Sequence, residues 1–200
     1  MKIAVMGNDV QWEELLALSN QVSWVRMTVY EEIGIDADAF FLFNANIPFN
    51  KITTSKPVFV HAVLNTLTEL CAKPNVLRMN AWPGFLSMSI WEIAGEMSTG
   101  AQLVLQTLGK QSKLVGDKPG FVSARIICMI INEAYFALEE RVSTKEDIDI
   151  AMKLGTNYPY GPFEWASVIK VKNVFLLLEK LAQNDKRYTP SSLLKKETAE

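Results

Sequence analysis

The sequence predicts an α/β domain followed by an all-α domain: a shortened Rossmann-like sheet, then a set of packed helices. Three observations carry this. Between residue 2 and about residue 115, short apolar runs rich in β-branched and aromatic residues alternate with helical patterns. From Asp117 onward the strand signal stops and the apolar spacing turns helical. Between them, Asp117-Lys118-Pro119-Gly120 is a loop-forming stretch. The expected domains are therefore residues 1–116 and 117–200.

Lys2-Ile3-Ala4-Val5-Met6-Gly7 reads as a buried strand ending in glycine. Residues 9–19 then place Val10, Trp12, Leu15, Leu16 and Leu18 at roughly helical spacing, with Asp9 as the expected cap. Further strands are expected at residues 22–29, 39–43, 58–61, 76–79, 89–93 and 113–115, with a helix over 100–108. Residues 121–140 form one long helical pattern. Ser143-Thr144-Lys145-Glu146 spells a capping box, predicting a helix that stops at Gly155. Gly161-Pro162 restarts the chain with proline in a first helical position, and a last helix is expected over 172–183. The tail, residues 195–200, reads as solvated and frayed.

The 200 residues are 49% hydrophobic and 21% charged, which supplies a real core and excludes a disordered chain. Twenty Lys and Arg against 22 Asp and Glu give a net charge of -2, with no basic block to serve as a nucleic-acid footprint. The longest apolar run, residues 126–131, is far below the roughly 20 residues of a membrane span. Met1-Lys2 leads into a strand with no secretory apolar region, so the cytoplasm is the expected compartment. The two cysteines, Cys71 and Cys128, lie far apart among apolar neighbours and read as buried reduced thiols. They offer no metal spacing, and one histidine cannot build a metal cluster with them.

The second half carries a string of ordered anchors. Asp117-Lys118-Pro119-Gly120-Phe121-Val122 is followed by Arg125, Asn132-Glu133-Ala134, Glu146-Asp147-Ile148-Asp149 and Ala151-Met152-Lys153-Leu154-Gly155. Then come Pro159-Tyr160-Gly161-Pro162-Phe163-Glu164 and Arg187-Tyr188-Thr189-Pro190. This string resembles the C-terminal helical domain of the NAD-dependent 3-hydroxyacyl-CoA dehydrogenases, and it continues more weakly upstream through Trp91-Glu92-Ile93 and Leu108-Gly109-Lys110. The resemblance implies a Rossmann domain joined to a helical domain that dimerises. It also implies oxidation of the 3-hydroxyl of an acyl-CoA by hydride transfer to NAD. A homodimer through the C-terminal helices and an acyl-CoA-like ligand are the expected partners.

The resemblance also assigns site positions, and the chain departs from the family at several. The family's catalytic pair is a histidine that takes the hydroxyl proton and a glutamate that orients it. Glu92 matches the glutamate, and counting back twelve residues puts Asn80 where the histidine belongs. An amide has no titratable group near neutral pH, so the pair is broken, and neighbouring Arg78 is no base either. The family's substrate-side asparagine falls on Ala124. Glu92 reads equally as a remnant of the pair or as a strand-end carboxylate. Of the cofactor loop's three glycines only Gly7 is present, and Trp12 stands at the third position. NAD is therefore implied by resemblance while its cradle is degenerate. Glu31 or Glu32 could imitate the ribose-binding acid, although a solvated loop acid is the simpler reading. His61, the only histidine, ends a strand, where it reads as structural or as part of a site. An enzyme with altered proton transfer and a non-catalytic protein that keeps the fold both remain open at this level.

Overall fold

A computed structural model describes residues 1–29, 33–43, 49 and 52–198. It divides into two compact units, Met1–Phe121 and Val122–Glu200.

The first unit is built on a seven-stranded sheet. Its strands are β1 (Lys2–Met6), β2 (Ser23–Arg26), β3 (Ala39–Leu42), β4 (Val58–His61), β5 (Val76–Met79), β6 (Ile90–Ala94) and β7 (Gln111–Leu114), in the order β2-β1-β3-β4-β5-β6-β7. Neighbours are parallel except β5 and β6. The chain order reverses at β1, which makes the carboxyl ends of β1 and β3 the natural mouth of a site. Because β6 runs back against β5, the connection through residues 80–89 needs no helical crossover and starts beside those strand ends.

Ile3, Ala4, Val5, Phe40, Phe41 and Phe59 are all buried because both faces of the sheet are covered. One face packs Ile3, Val5, Phe41, Phe59 and Ile93 against Leu15 of α1 (Asp9–Leu16) and Ala101, Val104 and Leu105 of α2 (Thr99–Thr107). Phe41 stacks on Phe59 at 4.8 Å between ring centres. The other face packs Ala4, Phe40, Leu42, Val58 and Val76 under Met27, Ile33, Ala37, Phe49 and Ile52. Among the described residues that face carries no α-helix, so other segments do the covering.

The second unit contains α3 (Ser123–Glu139), α4 (Lys145–Thr156), α5 (Pro162–Ile169), α6 (Val171–Ala182), a single 3-10 turn (Lys186–Tyr188) and α7 (Ser192–Glu197). On α3, Ala124, Cys128, Ile131 and Tyr135 form one buried stripe. Val174, Leu177, Leu178 and Leu181 do the same on α6.

Several local expectations change. Asn8, not Asp9, caps α1: its side chain accepts the Gln11 N–H, and Asp9 pairs instead with Arg26. Thr144 replaces Ser143 as the cap of α4, which runs past Gly155 to a left-handed Asn157. The tail is helical through Glu197, whose carboxylate binds the Lys145 ammonium at 2.9 Å. Cys128 is buried as expected, but Cys71 is exposed because it lies in a surface turn with a φ of 49°.

Candidate active site

The turn after β1 is where a dinucleotide would meet the sheet. Asn8 and Gln11 form a reciprocal capping box: Gln11 N–H donates to Asn8 Oδ1 at 2.9 Å, and Asn8 N–H donates to Gln11 Oε1 at 3.0 Å. Two of the amides at this helix start are thus satisfied by the chain's own side chains. The buried Gln11 amide then donates through Nε2 to the Ala81 carbonyl at 2.8 Å, tying α1 to the loop after β5. A Cβ at Gly7 would lie 3.0 Å from Gln11 Oε1 and 3.3 Å from the Phe43 ring. The space beside Gly7 is therefore taken up by Gln11 and Phe43. Trp12 packs against the core on one side and carries the Arg26 guanidinium over its ring on the other. The residues present do not fit a pyrophosphate at this turn. Glu31 and Glu32 lie outside the described residues.

The ends of β4 and β5 bring His61 and Asn80 into one neighbourhood. His61 pairs with Met79 across the two strands, and its Nδ1 accepts the Ala81 N–H at 3.0 Å. A neutral imidazole has one unprotonated nitrogen, and here that lone pair is in use. Burial pushes the His61 pKa down to about 4, so the ring is neutral at pH 7 with its proton on Nε2. Asn80 is buried; its Oδ1 accepts the Trp82 N–H at 3.0 Å, and its Nδ2 is buried without a partner among the described residues.

Glu92 lies on β6. The antiparallel register of β5 and β6 ends at Met79 opposite Ile93, the residues that precede Asn80 and follow Glu92 in sequence. On its other side Glu92 is in register with Lys113 of β7. Ala124 is fully buried in the first turns of α3 and offers only a methyl group.

Gln11 and Arg78 are the two side chains that sequence reasoning undervalued. Asn8-x-x-Gln11 is itself a legible box, with the amide pair standing where Ser and Glu are more usual. Arg78, fully buried in the middle of β5, had no such signal, because charged residues in strands are ordinarily exposed. No group of three His, Cys, Asp or Glu side chains that could hold a metal occurs among the described residues. No described helix is long and apolar enough to cross a membrane.

Comparison with known proteins supplies the lineage. Residues 120–199 match the family described as 3-hydroxyacyl-CoA dehydrogenase, C-terminal domain. The 3-hydroxyadipyl-CoA dehydrogenase of Escherichia coli K12 is 44% identical over 93 residues, covering 46% of this chain and 20% of that protein. A probable 3-hydroxybutyryl-CoA dehydrogenase of Bacillus subtilis is 33% identical over 142 residues, covering 65% of this chain and 50% of that protein. The matches thus span from a fifth to half of these relatives' length. The fold is also that of the (S)-3-hydroxybutyryl-CoA dehydrogenase of Ralstonia eutropha, with a TM-score of 0.75 at 20% identity over 99% of this chain and 93% of that one. Residues 120–199 thus match the C-terminal domain of the 3-hydroxyacyl-CoA dehydrogenases by sequence, and the chain as a whole shares the fold of a 3-hydroxybutyryl-CoA dehydrogenase.

Proposed function

We propose that this chain keeps the family fold without the family's oxidation of 3-hydroxyacyl-CoA, and acts as a non-catalytic, homodimeric binding protein in the cytoplasm. One observation carries the reading: the lone pair of the chain's single histidine is held by a backbone amide. The resemblance puts the amide of Asn80 at the proton acceptor's position, and the only histidine, His61, spends its one lone pair on the Ala81 N–H. Glu92 is then a strand carboxylate without a histidine to orient. The filled turn around Gly7 argues in the same direction, against NAD. NADH should bind no tighter than millimolar, about 4 kcal/mol or less. Turnover of acetoacetyl-CoA with NADH should fall by roughly two to four orders or more, the contribution of one acid/base group. Micromolar NADH binding by calorimetry, or turnover near an ordinary value of about 10 per second, would return the dehydrogenase reading to first place.

The dimer half of the proposal rests on α3 and α4. Ile126 is 53% exposed, Ile150 51% and Leu154 83%. An apolar hollow between Ile127, Ile130, Met152, Tyr158, Tyr160 and Trp165 lies in the same unit. Val174 and Leu178 of α6 are interior to the unit and contribute nothing to such a face. Sedimentation at micromolar concentration should give twice 22.5 kDa. A Leu154→Lys substitution should shift it to one chain, since a charge buried at an interface costs several kcal/mol. A wild-type species of 22.5 kDa would remove the dimer from the proposal.

A further inference from the structure

Arg78 heads the fully buried side chains by volume, and its guanidinium binds groups that come from two separate segments. Nε and Nη2 donate to the Ala62 carbonyl at 2.9 and 2.7 Å. Nη1 donates to the Asp117 carboxylate, and Nη1 and Nη2 reach the Lys118 carbonyl at 3.5 and 3.4 Å. The Phe121 ring lies 4.8 Å from Cζ, in cation-π range. The partners reinforce one another: both Asp117 oxygens accept the Leu67 N–H, at 3.1 and 2.9 Å. The Gly120 N–H donates to the Val63 carbonyl at 2.7 Å.

The segment gathered this way, residues 117–121, is the last of the first unit before the chain enters the second. It contains a sharp bend, with Gly120 at a φ of 88° and Phe121 at 51°. Glycine accepts the left-handed region freely; phenylalanine does not, and stays there only when its surroundings hold it. With Arg78 fully buried and Asp117 only partly so, the ion pair is a poor way to add stability, since apolar residues of like volume often do as well or better. What it adds is geometric uniqueness, because five N–H donors in a rigid fork can be satisfied in few arrangements.

We propose that Arg78 is a latch. Through Asp117, the Lys118 carbonyl and Phe121 it clamps the exit segment onto the sheet and holds the Gly120–Phe121 bend. The exit segment changes course only when the Arg78–Asp117 pair opens.

Hydrogen exchange on the full chain, resolved by residue, tests this. In the wild type the Gly120 and Leu67 amides should exchange with the protection of β4 and β5, roughly a hundredfold or more slower than exposed loop amides. Exchange at open-loop rates would overturn the latch without any variant. The double substitution Arg78→Met with Asp117→Asn removes both charges together and so strands neither. It should speed exchange at Leu67 and Gly120 at least about tenfold while β1 and β3 keep their rates. Unchanged exchange at those two amides, or an equal rise across the whole sheet, would reduce the pair to an ordinary core contact.

Discussion

The Asp149 carboxylate caps α5 from α4, and it fills the space into which a side chain at Gly161 would project. Oδ1 accepts the Phe163 N–H at 2.8 Å and Oδ2 accepts the Glu164 N–H at 3.1 Å. Two orphan donors at the start of a helix are satisfied across the loop. A Cβ at position 161 would collide with that carboxylate. Glu164 in turn accepts the Gly161 N–H at 3.0 Å and pairs with Lys153. Asn132 plays a similar part, donating to the Thr189 carbonyl and accepting the Ser191 N–H, both at 2.9 Å. These residues of the segment that matches the 3-hydroxyacyl-CoA dehydrogenase C-terminal domain are thus fold-holding residues.

Gly161→Ala should destabilise the second unit by about 3 kcal/mol, the upper range for overpacking a filled site. Asp149→Ala should cost about 1–3 kcal/mol by leaving two amides without an acceptor. Urea denaturation followed by helical circular dichroism checks both. A loss below about 0.5 kcal/mol for Gly161→Ala, the range of neutral surface changes, would show that the loop relaxes around the new methyl.

Stability should fall on mild acidification because of His61. Its pKa is about 4 in the folded protein against 6.5 unperturbed, so between those values the unfolded chain binds a proton the folded one excludes. The folded state is then disfavoured progressively as pH drops below 6.5, by about 2 kcal/mol at pH 5. His61→Gln keeps an acceptor for the Ala81 N–H and should flatten this part of the curve. A wild-type stability equal at pH 7.5 and 5 would contradict the neutral buried ring.

Asn80→His should not restore dehydrogenase activity, because the turn at Gly7 remains filled by Gln11. Gln11→Ala should lower stability by about 1–2 kcal/mol through loss of the bond to Ala81 and half of the capping box. It should not create an NADH site, since Trp12 stays in place. Titration of NADH against both variants, singly and combined, provides the check; micromolar binding to either single variant would show that the turn is less committed than its bonding implies.

Thiol labelling should distinguish the cysteines. Cys71 is exposed, whereas burial holds Cys128 inside α3 and pushes its thiol pKa far up. One thiol per chain should react under native conditions and two after denaturation. Two fast native thiols would mean that α3 opens far more readily than its buried stripe suggests.

Local chemistry made much of this molecule legible from the chain alone. Apolar strands ending at Gly7, His61 and Met79 announced the sheet, and Gly161-Pro162 announced α5, because burial and backbone geometry act over a few residues. That position 80 carries an amide with no titratable group near neutral pH was readable too, since a side chain's chemistry does not depend on its fold. Tertiary structure decided which of two adjacent polar residues caps a helix, as with Asn8 over Asp9 and Thr144 over Ser143. It also decided that Gln11 reaches Ala81, 70 residues away, that His61 gives its lone pair to a backbone amide, and that Arg78 meets Asp117. Each of these joins groups distant in sequence whose partners are set by strand order and register. Periodicity along the chain carries the face a residue occupies, but not what stands opposite it.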